Sequence, residues 1–263
     1  MITLAGITPH SPLLLPEVHS ERISILEQTT RALDALSHSL YAAKIETIVL
    51  ISEHPTRYKT SFSVNMHDPY TIDLREFGVP HCHHSYKPDL QLIDKLQRHL
   101  RREDQPFSLT TDTNLSFAAA TPLHYLATPL KKVRIVPITY SELDVKAHFK
   151  FGQSLQDVLM QSDKRIAVIA AGDMSHTLSE DSPAAHHVSG EEYDTAMQHA
   201  LVHGRPEDVL NFKQSMVTEA QETSYRPISI LLGALDDMHY KAKVLSYEHP
   251  FGVGYLTAEI EIH

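Results

Sequence analysis

Short apolar runs alternate along this chain with longer stretches in which apolar residues return every three or four positions. The short runs, at 2–7, 47–51, 133–138, 165–171, 240–247 and 253–261, predict strands. The longer ones predict helices: 20–43 carries Ile23, Leu26, Leu33, Leu36 and Leu40, and 87–103 carries Leu90, Leu92, Ile93, Leu96 and Leu100. Further helices are expected at 143–162, 190–203, 206–216 and 227–235, with Arg205-Pro206-Glu207-Asp208 a favourable helix start. Pro137 within 133–138 implies the end or edge of a sheet. The chain opens β-α-β and has no internal repeat, low-complexity tract or linker. The expectation is one α/β domain over 1–263, with a mixed central sheet and helices on both faces.

Three strand-type runs lead into a histidine. Ile2-Thr3-Leu4-Ala5-Gly6-Ile7 precedes His10, Thr47-Ile48-Val49-Leu50-Ile51 precedes His54, and Ile166-Ala167-Val168-Ile169-Ala170-Ala171 precedes His176. Open α/β sheets bind ligands beyond the carboxyl ends of their strands, so these imidazoles can meet at one crevice although they are far apart in sequence. With 19 histidines in the chain, a lone one is ordinarily a surface or hydrogen-bonded residue. The repeated placement beside Thr8-Pro9-His10-Ser11-Pro12, Ser52-Glu53-His54-Pro55 and Gly172-Asp173-Met174-Ser175-His176 points to a metal or acid/base site.

Composition narrows that chemistry. A single cysteine, Cys82, can form neither an internal disulfide nor a thiolate cage, so a metal must be held by nitrogen and oxygen ligands. Asp and Glu number 33 against 23 Lys and Arg, for a formal charge of -10, and the densest basic pairs are Arg101-Arg102 and Lys131-Lys132. Nucleic acid is therefore not an expected partner. No apolar run approaches the roughly 20 residues that span a bilayer, and the first ten residues lack a basic n-region, so a cytoplasmic protein with no membrane partner is expected. His81-Cys82-His83-His84 resembles a metal motif, but consecutive residues do not converge readily on one ion. Pro80 and Lys87-Pro88 make this segment a solvated loop.

The order of Gly6-Ile7-Thr8-Pro9-His10-Ser11-Pro12, the strand leading to His54, Ala171-Gly172-Asp173-Met174-Ser175-His176, Ser182-Pro183 with Tyr193-Asp194, and Pro250-Phe251-Gly252-Val253-Gly254-Tyr255 resembles the class III extradiol dioxygenases. Their best-known members are protocatechuate 4,5-dioxygenase catalytic subunits, and the likeness extends to the related Memo-like proteins. It covers nearly the whole chain. It implies a non-haem Fe(II) site, with Mn or Zn as alternatives, held by His10, His54 and a glutamate that best matches Glu222, ahead of Arg226-Pro227-Ile228-Ser229-Ile230-Leu231-Leu232. His176 matches the acid/base position. Asp173 is expected to orient His176 or stabilise its turn. Glu53, Asp173 and Glu248 are the competing carboxylates, Glu248 fitting the closing loop better.

The implied reaction is O2-dependent ring cleavage of a small catecholic compound. The resemblance also implies assembly as a homodimer or with a small partner subunit. One motif departs: ring-cleaving members often carry Asp-His-Gly shortly before Pro-Leu, whereas this chain has Ser116-Phe117-Ala118 before Pro122-Leu123. His124 is the nearby candidate for the missing substrate contact, with packing on the following helix as its plain alternative. The departure favours a Memo-like metal-binding protein without ring cleavage, and a metal-dependent hydrolase is a third possibility. His10, His54 and His176 favour the dioxygenase.

Overall fold

In the computed structural model, which describes residues 1–19, 23–79 and 84–263 and leaves aside the side chains of His19 and Ile23, the opening β-α-β unit is formed by β1 (Ile2–Thr8), α1 (Pro16–His19), α2 (Glu27–Ala42) and β2 (Thr47–Ser52). The periodicity over 20–43 resolves into a 3-10 turn at 23–26 followed by α2, and 20–22 lie outside the described residues. Five short strands and two helices follow: β3 (Phe62–Asn65), β4 (Tyr70–Ile72), β5 (Ser85–Pro88), α3 (Leu90–Arg102), β6 (Phe107–Thr110), β7 (Asn114–Leu115) and α4 (Phe117–Leu126). Then come β8 (Arg134–Thr139), α5 (Val145–Met160), β9 (Ile166–Ala171), α6 (Val188–Val202), α7 (Pro206–Leu210), α8 (Gln214–Ala220), α9 (Tyr225–Ala234), β10 (Tyr240–Glu248) and β11 (Tyr255–Ile262).

The single helix expected over 206–216 is two. Asn211 Nδ2 donates to Glu207 O at 2.8 Å, taking a carbonyl at the end of α7, and the chain restarts as α8.

The strands form a mixed sheet in the order β10-β11-β1-β9-β2-β8-β5-β4-β7, with β3 and β6 branching from β8. The centre is parallel: β1 pairs with β9, β9 with β2, and β2 with β8, while β11 runs antiparallel to β1. Every residue of β2 and β9 is buried, as expected for parallel strands covered on both faces. Ile48 and Leu50 pack with Leu36 and Leu40 of α2 and Leu123 and Leu126 of α4, whereas Val49 and Ile51 belong to the opposite core with Leu96 of α3, Leu155 of α5 and Ile230 of α9. Helices thus lie on both faces.

Pro137 does not mark an edge, because β8 is interior. On the side away from β2, β5 pairs with Arg134 and Ile135, and β3 with Ile138 and Thr139. Pro137 falls in the gap between these partners, where a missing N–H costs the ladder nothing.

Candidate functional site

The register brings three strand ends side by side. Thr8 at the end of β1 lies opposite Ala171 at the end of β9, and Ala170 lies opposite Ile51 of β2. His10, the 172–176 segment and His54 consequently leave the sheet at the same carboxyl rim.

His10 is buried and doubly fixed. Its backbone N–H donates to Asp173 Oδ1 at 2.9 Å, and its Nε2 lies 3.8 Å from Asp173 Oδ2 and 3.3 Å from Thr223 Oγ1. Thr223 is in turn stitched to the β9 exit: its N–H donates to Asp173 O at 3.0 Å, and its Oγ1 accepts from Asp173 N–H at 2.9 Å. This close approach needs Gly172, where an added Cβ would sit 2.5 Å from Thr223 O and 2.7 Å from Ser224 Cα. Asp173 therefore serves His10 and the turn that carries Glu222; its expected role of orienting His176 is not the contact it makes.

Glu222 lies between α8 and α9, just after Gln221, whose φ of 48° ends α8 in the left-handed region. Its Oε2 accepts from Tyr225 N–H at 2.5 Å and from Tyr193 O–H at 3.3 Å. Burial pushes its pKa up to about 7, against the lowering pull of Tyr225 N–H and Arg226.

His54 uses both ring nitrogens on backbone groups, Nδ1 accepting from Thr56 N–H at 3.1 Å and Nε2 lying 3.2 Å from Asn114 O. Among the described residues, His10 Nδ1 and His176 Nδ1 are buried with no hydrogen-bond partner. The His176 backbone N–H is tied to Ala220 O at 2.9 Å, which holds the β9 exit against the end of α8.

The competing carboxylates are already engaged. Glu248 Oε1 accepts from Thr29 N–H at 2.8 Å and Thr29 Oγ1 at 2.6 Å, capping the first turn of α2. Glu53 lies 3.8 Å from Arg57 Nη1. Tyr140, buried beside both Glu53 and Glu222, has its pKa raised by burial first and by those carboxylates second.

A cleft of about 640 Å³ opens at His54 and is lined by Phe117, Ser116, Asn114, Arg75 and Asp73 among others. Ser116 Oγ donates to Glu53 O at 2.6 Å, joining the start of α4 to the His54 loop. Phe117 meets the His10 ring edge-on at 5.7 Å and Phe77 at 5.3 Å. The departure at 116–118 thus gives the cleft an apolar aromatic wall.

His124 does not reach this wall. Seven residues beyond Phe117 on α4, it lies roughly 10 Å further along the helix axis. Together with Glu17 and His84 it forms the one trio of His, Cys, Asp or Glu donors within 4.8 Å of one another among the described residues. His10, His54 and Glu222 share the rim without closing to that distance. Sequence reasoning missed Glu17 and His84: His84 is half-buried instead of solvated, and nothing in residue spacing links Glu17 to it. His81, Cys82 and His83 lie outside the described residues.

The parallel centre of this mixed α/β sheet thus brings imidazoles and carboxylates to one carboxyl rim. Residues 4–258 match the family described as the catalytic LigB subunit of aromatic ring-opening dioxygenase, and the chain belongs to that family. Protein CA_C1420 of Clostridium acetobutylicum is 27% identical over 264 residues, covering 97% of this chain; the chain spans 56% of that protein's length. The crystal structure of uncharacterized protein JW3007 from Escherichia coli K12 shares the fold, with a TM-score of 0.69 at 14% identity over 98% of this chain and 99% of that one. Among the described residues, no helix is long and apolar enough to cross a membrane.

Proposed function

We propose that this protein is an O2-dependent extradiol dioxygenase that opens the ring of a small catecholic compound, with His10, His54 and Glu222 holding a non-haem Fe(II). Family membership supports a dioxygenase-like enzyme, and the observation that carries the assignment to this rim is the pair of buried, unpartnered Nδ1 atoms on His10 and His176. A buried polar atom left without a partner is costly, and an ion or a substrate hydroxyl would satisfy it. Two imidazoles and one carboxylate suit Fe(II), and they also suit Mn(II) or Zn(II). His54 would hold such an ion through Nε2 only by releasing Asn114 O and carrying its proton on Nδ1, which gives up the Thr56 N–H bond as well. When bound, such an ion leaves open positions at which a catechol and O2 meet.

The chain's own residues do the rest. Asp173 fixes the His10 backbone and holds the Glu222 turn against β9 through Thr223. Phe117 supplies an apolar face against which an aromatic ring can pack. His176 takes a catechol hydroxyl proton on its ring nitrogen and returns it to an oxygen of the opened product. Both atoms of O2 enter that product, so no external reductant is consumed.

Anaerobic loading with Fe(II), followed by O2 uptake over a panel of catechols, tests this function. The expected result is equimolar loss of O2 and catechol, with metal content lowered in His10→Ala, His54→Ala and Glu222→Ala. Full metal retention in all three variants would remove the ligand assignment. Phe117 in place of a polar substrate contact favours a second reading, a Memo-like protein that binds metal without cleaving rings. Stoichiometric metal with no O2 uptake on any catechol would select it.

A further inference from the structure

We infer that Glu17, His84 and His124 form a second metal site, a two-nitrogen, one-oxygen set for a Zn(II)-class divalent ion, separate from the strand-end rim. The three residues come from α1, the residue preceding β5, and α4, so no local spacing forces them together. Their donor atoms nevertheless lie within 4.8 Å of one another.

The separation of Glu17 Oε1 and His84 Nε2 is informative. At 3.4 Å it is longer than a charge-assisted hydrogen bond, which closes to about 2.7–2.9 Å. Two ligands on a tetrahedral ion with bonds of about 2.0–2.1 Å stand roughly 3.3 Å apart, so the pair already spans one edge of such a polyhedron. His124 supplies the third corner, and its Nδ1 is buried without a hydrogen-bond partner among the described residues. Its ring stands edge-on to that of His84, with centroids 5.6 Å apart.

Packing independent of the cluster holds these residues in place. Thr121 Oγ1 donates to Ser11 O at 2.8 Å and Tyr125 O–H to Leu14 O at 2.8 Å, clamping α4 to the segment that leads into Glu17. The His84 ring stacks on Tyr86, whose hydroxyl lies 3.3 Å from Thr128 Oγ1 just beyond α4. The donors are thus presented by a preformed frame, which is what a structural ion exploits. Glu17 is exposed, so the fourth position faces water.

Metal-free protein titrated with Zn(II) and Co(II), followed by calorimetry and by the visible spectrum of the Co(II) form, tests this site. The variants are Glu17→Gln, His124→Gln, the double His10→Ala/His54→Ala, and the double His81→Ala/His83→Ala. Glu17→Gln and His124→Gln should each weaken one class of binding by roughly tenfold or more and alter its Co(II) spectrum, since even the supporting partners of metal ligands contribute about that much. That same class should survive in His10→Ala/His54→Ala, so failure of the rim assignment leaves this one standing. Glu17→Gln changes only an exposed side chain and guards against misfolding of the His124 variant. Wild-type binding in both single variants would overturn the site, as would loss of the class in His81→Ala/His83→Ala alone, which would mean adventitious chelation by the histidine-rich sequence at 81–84.

Discussion

His176 ends the exit from β9, and Asp194 of α6 holds that exit through Ser175; each invites a single-residue test. Asp194 is buried, with Oδ1 accepting from Ser175 N–H at 2.8 Å and Oδ2 from Tyr247 O–H at 2.6 Å. Burial outweighs these bonds and raises its pKa to about 6. A carboxyl whose pKa is higher folded than unfolded contributes stability that is present below the unfolded value and lost as pH rises through the folded one. Wild-type stability should therefore lose roughly 2.4 kcal/mol from this group between pH 4 and pH 7. Asp194→Asn removes the titration while its Oδ1 still accepts from Ser175 N–H and its Nδ2 donates to the Tyr247 hydroxyl in reversed sense, so its urea-unfolding free energy should fall less over that window; equal slopes would refute the assignment. His176→Gln should retain metal and catechol binding while turnover drops about 10²–10⁴-fold, the usual contribution of a positioned acid/base. Loss of metal would make His176 a ligand, and loss of thermal stability with normal turnover would make it structural.

Among the elements, those that build the rim were the most legible. The strands ending before His10, His54 and His176 are near-continuous apolar runs, and the register that joins them follows from burial on both faces. The strands of two to four residues between 62 and 115 were not legible, because alternation over so few positions carries no period. Nor could spacing show that Glu17, His84 and His124 meet, since that depends on how α4 packs over the 11–19 segment. The turn carrying Glu222 is an element-scale device of the same kind: Thr223 and Ser224 press on Gly172 too closely for any side chain. Gly172→Ala should push that turn away from β9, costing roughly 1–3 kcal/mol of stability as overpacking does. Metal content should fall with it, while far-ultraviolet circular dichroism stays native. Unchanged metal content would mean that the turn does not carry a ligand.

Across the whole molecule, an ion at the rim would join β1, β2 and the α8–α9 turn, which lie far apart in sequence. An ion bound only by the folded chain stabilises it by mass action, about 2.7 kcal/mol when free metal is at 100 times its Kd. For a protein of this size that corresponds to a rise of roughly 5–10 °C in unfolding midpoint per site. The two proposed sites make the rise divisible. Adding metal to the metal-free protein should raise the midpoint less in His10→Ala/His54→Ala than in wild type, and less again when Glu17→Gln is added to that double variant. The decisive measurement is the midpoint plotted against the logarithm of free metal concentration in all three proteins. Parallel lines of equal height would mean that neither cluster binds metal in preference to the unfolded chain. A response abolished by His10→Ala/His54→Ala alone would leave the rim as the sole metal-linked element of the fold.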